Sequence, residues 1–211
     1  MSTRSERKAR VVALLAGRDL PGIRSWIEDE RGAFEMLFPL LLHRDEMLGW
    51  RALEALGLVS ASRPIETVRD RIRRLLWSMS HESGNAVPLA ADAAGEMASS
   101  ARLVGEFARP IASFIGIEPF VRGVHRAVAR MAGVDPAPLA YLSPYLARAL
   151  GHSDPVIRAH SALALLCVDP PSRSRVLALE ADDARLSSYD RRTGAIVTTT
   201  VGEALRGSRC R

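Results

Sequence analysis

The sequence predicts an all-α chain, an α–α superhelix (solenoid) of about four to five helix pairs closed by a small C-terminal β-hairpin. Three observations carry this: an alanine-rich segment that recurs, a composition rich in Ala and Leu but poor in aromatics, and a change of character after residue 184.

The recurring segments are "ALEALG" (Ala52–Gly57), "AADAAG" (Ala90–Gly95), "VARMAG" (Val128–Gly133) and "ALALLC" (Ala162–Cys167). They end at residues 57, 95, 133 and 167, separations of 38, 38 and 34. A near-fixed period of this size marks stacked repeats. The small residues let neighbouring helices approach closely. Each segment reads as the second helix of a pair, and the pairs span 31–60, 64–98, 101–133 and 137–168. Residues 5–29 read as two short helices, so that 1–30 cap the array. Region 171–184 reads as one more short helix and a loop, which completes an array over 1–184.

Composition agrees. Apolar residues make up 47% of the 211 positions and aromatics 5%, which suits closely packed helices better than a β-sandwich. The clearest first helix carries Ile65, Val68, Ile72, Leu75, Leu76 and Met79 in steps of three and four, leaving one apolar face. Arg69, Asp70, Arg71, Arg73 and Arg74 occupy the rest. This is a solvated face, with a phosphate-binding stripe as the sharper alternative. Pro110, Pro138 and Pro144 should kink or delimit helices.

The turns inside the pairs repeat too: "HRDEM" (His43–Met47), "HESGN" (His81–Asn85), "GIEPF" (Gly116–Phe120) and "HSDPV" (His152–Val156). Each places an acid before the second helix, at Asp45, Glu82, Glu118 and Asp154. Such acids suit a helix N-terminus electrostatically and can cap its free N–H groups. Pro119 and Pro155 then fit the first helical position. His43, His81 and His152 recur in these turns. A metal site would need them within a few ångströms of one another, whereas stacked layers lie roughly 10 Å apart. No metal or cofactor is expected. The stretch around Trp77, His81, Glu82 and Asn85 reads first as a repeat corner and second as a partner- or ligand-binding turn.

After residue 184 the pattern changes. "RLSSYDRRTGAIVTTTV" (Arg185–Val201) is rich in β-formers around a turn at Gly194. It predicts a hairpin of Leu186–Asp190 against Ile196–Thr200, followed by a short helix with capping-box spacing from Thr200 to Glu203. A lone hairpin is not stable, so 185–211 should pack on the last helices as a cap.

The formal net charge is +5, and Lys8 is the single lysine. Arginines and acids are interspersed, so the charge argues only weakly for a nucleic-acid partner. Cys167 reads as a buried thiol. It and Cys210 have no motif spacing and imply no disulfide framework. "VVALLAG" (Val11–Gly17) is too short for a membrane span and has no cleavage pattern, which predicts a cytoplasmic chain with no membrane partner.

"DPVIRAHSALALL" (Asp154–Leu166), with its turn acid, the following Arg158 and small-residue helix, resembles HEAT and phycobilisome-lyase-like repeats. "WRALEALG" (Trp50–Gly57), "RRLLWSMSHESG" (Arg73–Gly84), "GVHRAVARMAG" (Gly123–Gly133) and "TTTVGEAL" (Thr198–Leu205) resemble a group of bacterial and archaeal HEAT-repeat proteins frequent in sulfate-reducing anaerobes. The resemblance implies a fold and no reaction, so no catalytic residue follows from it. In that group the Trp77–Gly84 element continues with glycine, tryptophan and then Ala-Pro-Glu. Here Asn85 to Asp92 lack that second aromatic.

The resemblance further implies that the second helices line a concave inner face. Solenoids bind partners on such faces. Glu54, Asp92 and Glu96 would make it acidic in the first half, and Arg122, Arg126 and Arg130 basic in the second. These charges could instead form a ladder of ion pairs between repeats, Asp92 to Arg130 for example. The expected function is a non-catalytic scaffold or adaptor for another protein, using the concave face and the Trp77–Asn85 turn. The alternative is a nucleic-acid-binding array, in its sharpest form a glycosylase for alkylated bases using Trp50, Glu54, Trp77 and Asp92. Triad, phosphate-loop and "CxxC" patterns are absent, and an enzyme is the less favoured reading.

Overall fold

The computed structural model describes residues 3–30, 32–80 and 87–207. The chain is mostly helical, with a two-stranded antiparallel sheet near its C-terminus. Helix α1 (Arg4–Ala16) starts at a reciprocal cap between Thr3 and Glu6. Helix α2 (Leu20–Asp29) starts at Asp19, whose carboxylate accepts from the Gly22 N–H at 2.9 Å. Val11, Leu15, Ile23, Trp26 and Ile27 bury the shared face of the two helices.

The first expected helix of the 31–60 pair is a 3-10 segment, Phe34–Leu42. Pro39 inside it lacks an N–H and obstructs the α-helical bond to the carbonyl four residues back. Helix α3 (Glu46–Ser60) follows, capped by Asp45 on the Met47 N–H at 2.9 Å. Helix α4 (Ile65–Ser80) buries Val68, Ile72, Leu75 and Met79, while Ile65 at its start is exposed. Its arginines are paired along and across layers. Arg71 reaches Glu35, Arg69 and Arg73 reach Glu106, and Arg74 reaches Asp70.

Helices α5 (Ala90–Ser100), α6 (Val104–Ala112), α7 (Val121–Ala132), α8 (Ser143–Ala149) and α9 (Pro155–Val168) continue the chain. Pro110 lies within α6. Pro138 falls in a 3-10 turn before α8, and Pro144 in the first turn of α8. The helices α3, α5, α7 and α9 form a row in which each touches the next, and α4, α6 and α8 pack along it. The repeat-end residues 57, 95, 133 and 167 therefore fall on or beside successive neighbours of one row. Gly95 shows why small residues recur: a Cβ there would stand 2.8 Å from Cα of Ala127. That is closer than two such atoms can come.

Two of the marked corners share one construction. His43 Nδ1 accepts the Asp45 N–H at 3.1 Å, and His152 Nδ1 accepts the Asp154 N–H at 3.0 Å. Asp45 and Asp154 in turn cap α3 and α9. A corner histidine thus holds the capping acid in place. The third corner differs. The Glu118–Pro119 bond is cis, α7 begins only at Val121 with Phe120 at its N-cap position, and among the described residues no side chain caps it. Pro155 does take the first position of α9.

Beyond α9 the chain runs through short 3-10 turns and α10 (Arg173–Leu177). Strands β1 (Arg185–Asp190) and β2 (Ala195–Thr200) pair in the register Leu186 with Thr199 and Asp190 with Ala195. Gly194 in the turn has φ 68°, the left-handed region in which glycine meets no Cβ penalty. Helix α11 (Val201–Arg206) starts at the Thr200–Glu203 capping box. Cys167, expected as a buried thiol, is half-buried and disulfide-bonded.

The hairpin does more than cap the last helices. Helix α11 packs on α9, but the hairpin turn lies against the first helices of the chain. The Arg51 guanidinium donates both to the Gly194 carbonyl, at 3.2 Å, and to the Leu15 carbonyl, at 3.1 Å. The Arg191 carbonyl accepts from Arg18. The strands thus cross the row from its last member back to its first.

Candidate functional site

The face of the row covered by the hairpin carries a ladder of buried carboxylates, each held by arginine. Glu54 on α3 accepts from Arg18 at 2.7 and 3.0 Å and from the Tyr189 hydroxyl at 2.6 Å. Asp92 on α5 accepts from Arg126 at 2.6 and 2.9 Å. Glu96, one helical turn further along, accepts from Arg130 at 2.8 Å and from Arg191 at 2.9 Å. The three carboxylates are buried. Arg18 reaches Glu54 from a backbone at φ 50°, an uncommon conformation for a side-chain-bearing residue. It is held there by a bidentate carboxylate contact, the strongest kind of side-chain hydrogen bonding.

The expected ladder is present, one turn out of the expected register: Asp92 pairs with Arg126, and Arg130 pairs with Glu96. The offset follows from helix geometry. Arg126 and Arg130 stand four residues apart on α7, as do Asp92 and Glu96 on α5, so the two pairs share one register. Arg122 lies a further turn back, at the corner, and pairs with Asp154. Trp77 is exposed near the end of α4. His81, Glu82 and Asn85 lie outside the described residues. Sequence reasoning missed Tyr189 and Arg191, which the hairpin brings, and Arg18, which comes from the link between α1 and α2. The "YDRRTG" run carries no local signal of this pairing: Arg191 reaches Glu96, while the neighbouring Arg192 is 88% exposed.

The charges stay fixed. Burial works to raise the Glu96 carboxyl, but Arg191 and Arg130 outweigh it and bring it down to about 2. Burial likewise opposes ionisation of Glu54, yet Arg18 and Tyr189 hold it below the usual carboxylate range. Tyr189 is pushed up to about 12 by burial and by its bond to Glu54. These carboxylates are therefore ionised acceptors at neutral pH and poor proton donors.

Two cavities flank β1, and Trp50, Arg126 and Tyr189 line both. The Trp50 and Tyr189 rings stack with centroids 5.9 Å apart and planes within 5°, and the Arg126 guanidinium sits 5.1 Å from the Trp50 ring. The larger cavity, about 570 Å³, is a cleft at the corners of the row. Its walls are Leu42, His43 and Arg44 from one corner, Pro88 and Leu89 from the next, Pro119 and Arg122, then Asp154 and Pro155, with Arg185 to Tyr189 opposite. The smaller, about 320 Å³, lies behind the hairpin over Asp92 and Glu96. Among the described residues no three His, Cys, Asp or Glu side chains converge as metal ligands. None of the described helices is long and apolar enough to cross a membrane.

Two histidines, His125 buried and His160 half-buried, give the fold an acid-sensitive side. Burial pushes His125 down to about 4, helped by His152 and opposed by Asp154. Burial pushes His160 down to about 4 as well, helped by Arg126 and His125, against the Val156 carbonyl and Asp154. Both stay neutral in the fold while their unfolded counterparts protonate near 6.5. The unfolded chain therefore binds more protons between pH 6.5 and 4, and stability falls as pH is lowered through that window. The expected loss is on the order of 2 kcal/mol per histidine. Urea midpoints at pH 7 and 4.5 measure it, and a His125→Gln, His160→Gln double variant should flatten the difference. The Glu96 contribution has its own window. It is complete above 4.5 and is lost only as pH falls towards 2.

Compared with family models, curated proteins and solved structures, the chain matches none.

Proposed function

We propose that the row of α3, α5, α7 and α9 with its outer partners is a HEAT-like solenoid, and that the protein is a non-catalytic adaptor. It takes an extended, acidic segment of another protein in the corner cleft. The cleft carries this reading. Successive corners of the row converge on it, and β1 forms the opposite wall along Arg185 to Tyr189. Four arginines line it (Arg44, Arg122, Arg126 and Arg185) against two acids, Glu46 and Asp154. Arg44 and Arg185 are exposed and make no ion pair among the described residues. Complementary charge speeds encounter and selects partners. The ladder carboxylates Glu54, Asp92 and Glu96 are buried beneath the hairpin, out of reach of a folded partner while it stays in place, whereas Arg130 is 40% exposed. Of the six concave-face charges, Arg122 and Arg126 are the ones that reach the cleft.

The nucleic-acid reading gains little support. The four α4 arginines are paired with four acids, Glu35, Glu66, Asp70 and Glu106. Base excision needs a carboxylate free to act beside the aromatics, whereas Asp92 and Glu54 are saturated by guanidinium groups.

The test is affinity capture from the native host with the wild-type chain and with an Arg44→Glu, Arg185→Glu variant. The wild type should retain a protein partner. The variant should bind it at least about tenfold more weakly, with a smaller dependence on salt. Equal retention by both chains, or capture of DNA alone, would reject the adaptor reading.

A further inference from the structure

The cavity behind the hairpin has a chemistry that the adaptor reading does not use. Three guanidinium groups, Arg126, Arg130 and Arg191, face two carboxylates there, Asp92 and Glu96. One positive charge is left over. Arg126 and Arg130 each spend Nε and Nη2 on a carboxylate. Their Nη1 groups meet no acceptor among the described residues. Both arginines project from α7 one turn apart and line the same space.

His160 adds a second, independent feature. Its Nδ1 lies 2.8 Å from the Val156 carbonyl, four residues back on α9. A carbonyl oxygen only accepts, so the proton sits on Nδ1. Nε2 is then left as a lone-pair acceptor, and it has no hydrogen-bond partner among the described residues. His160 lines the cavity. Arg126, His125 and Asp154 are the ionisable groups near enough to act on the ring electrostatically. The Arg126 guanidinium opposes a second proton on it, His125 would add to that only once protonated, and Asp154 favours one. Leu53, Ala127 and Leu163 supply apolar wall.

We infer that this cavity binds a small monoanion that also carries an O–H donor: anionic oxygens on the Arg126 and Arg130 Nη1 groups, and the hydroxyl donating to His160 Nε2. A volume of about 320 Å³ is at the small end for ligand pockets and suits a compact molecule. A 2-hydroxycarboxylate and dihydrogen phosphate share this chemistry. The inference stands independently of the adaptor reading.

The experiment uses the whole chain, labelled with 15N in histidine, at pH 7. Glycolate, inorganic phosphate, acetate and chloride are titrated separately to about 10 mM, a range that detects millimolar binding. The His160 Nε2 resonance should move saturably with glycolate or phosphate, and whichever moves it identifies the source. Acetate has the charge without the donor and should bind about tenfold more weakly, the value of one hydrogen bond. In a His160→Phe variant, followed by the shifts of the Arg126 and Arg130 side-chain N–H groups, glycolate should weaken to the level of acetate. If that variant does not fold, the glycolate-to-acetate ratio in the wild type decides alone. No saturable shift with any probe would overturn the inference, as would equal affinity for acetate and glycolate, or an effect matched by chloride.

Discussion

Glu96→Ala should destabilise the fold by about 2–3 kcal/mol and loosen the hairpin. Breaking a buried ion pair by removing one partner costs about 3–5 kcal/mol, because the remaining charge is left uncompensated. The lower figure applies because the side chains of Arg130 and Arg191 are 40% and 43% exposed and can recover water, whereas that of Glu96 is 3% exposed. The lost carboxylate is also the one that joins α5, α7 and the hairpin, so one substitution removes contacts from three elements. Its stem fills the space beside Gly57, where a Cβ would meet Glu96 Oε1 at 2.3 Å. Glu96→Gln keeps that volume and should cost less. Urea midpoints at pH 7 measure both variants, and a loss under about 1 kcal/mol for Glu96→Ala would mean that the ladder is not held as described.

Gly95→Ala should be destabilising by about 2 kcal/mol, and Gly95→Val by considerably more. The sign is not obvious, because alanine in a helix gains about 1 kcal/mol over glycine. Here the added carbon would stand 2.5 Å from Cβ and 2.8 Å from Cα of Ala127. Main chain cannot swing aside as a flexible side chain can, so α5 and α7 must separate, and overpacking of this kind costs about 1–3 kcal/mol or more. Separation would also lengthen the Asp92–Arg126 and Glu96–Arg130 bonds, which span the same two helices. Gly105→Ala is the control. Nothing lies within 4 Å of its added carbon, so it should be neutral or stabilising by about 0.5 kcal/mol. Thermal midpoints of the three variants measure the contrast, and a neutral Gly95→Ala would contradict the close approach.

The helix row was legible because its signals are local. Alanine at a near-constant interval and an acid before each second helix reveal the period, and Asp45 and Asp154 do cap where the sequence places them. The hairpin and the Thr200–Glu203 cap were legible for the same reason: turn and capping chemistry act over a few residues. Where the 31–60 pair predicts a first helix, the chain forms the 3-10 segment Phe34–Leu42, because Pro39 inside it lacks an N–H for the α-helical bond. The site was less legible. Glu54, Asp92, Glu96, Arg126 and Arg130 do come together, but where the hairpin lands depends on contacts 95 to 174 residues apart in the chain, such as Arg191 to Glu96 and Arg18 to Arg192. No periodicity encodes such contacts. Hence the inner face reads from the sequence as open to a partner, while the fold closes it with its own C-terminal segment.

A double-mutant cycle between Arg191 on the hairpin and Glu96 on α5 probes that closure most directly. Arg191→Ala, Glu96→Ala and the double variant are unfolded in urea at pH 7. A hairpin clasped across the row gives a coupling energy of about 1 kcal/mol or more, as expected for groups in direct contact. Losses that add to within about 0.3 kcal/mol would mean that the two side chains do not meet, and that the hairpin lies elsewhere.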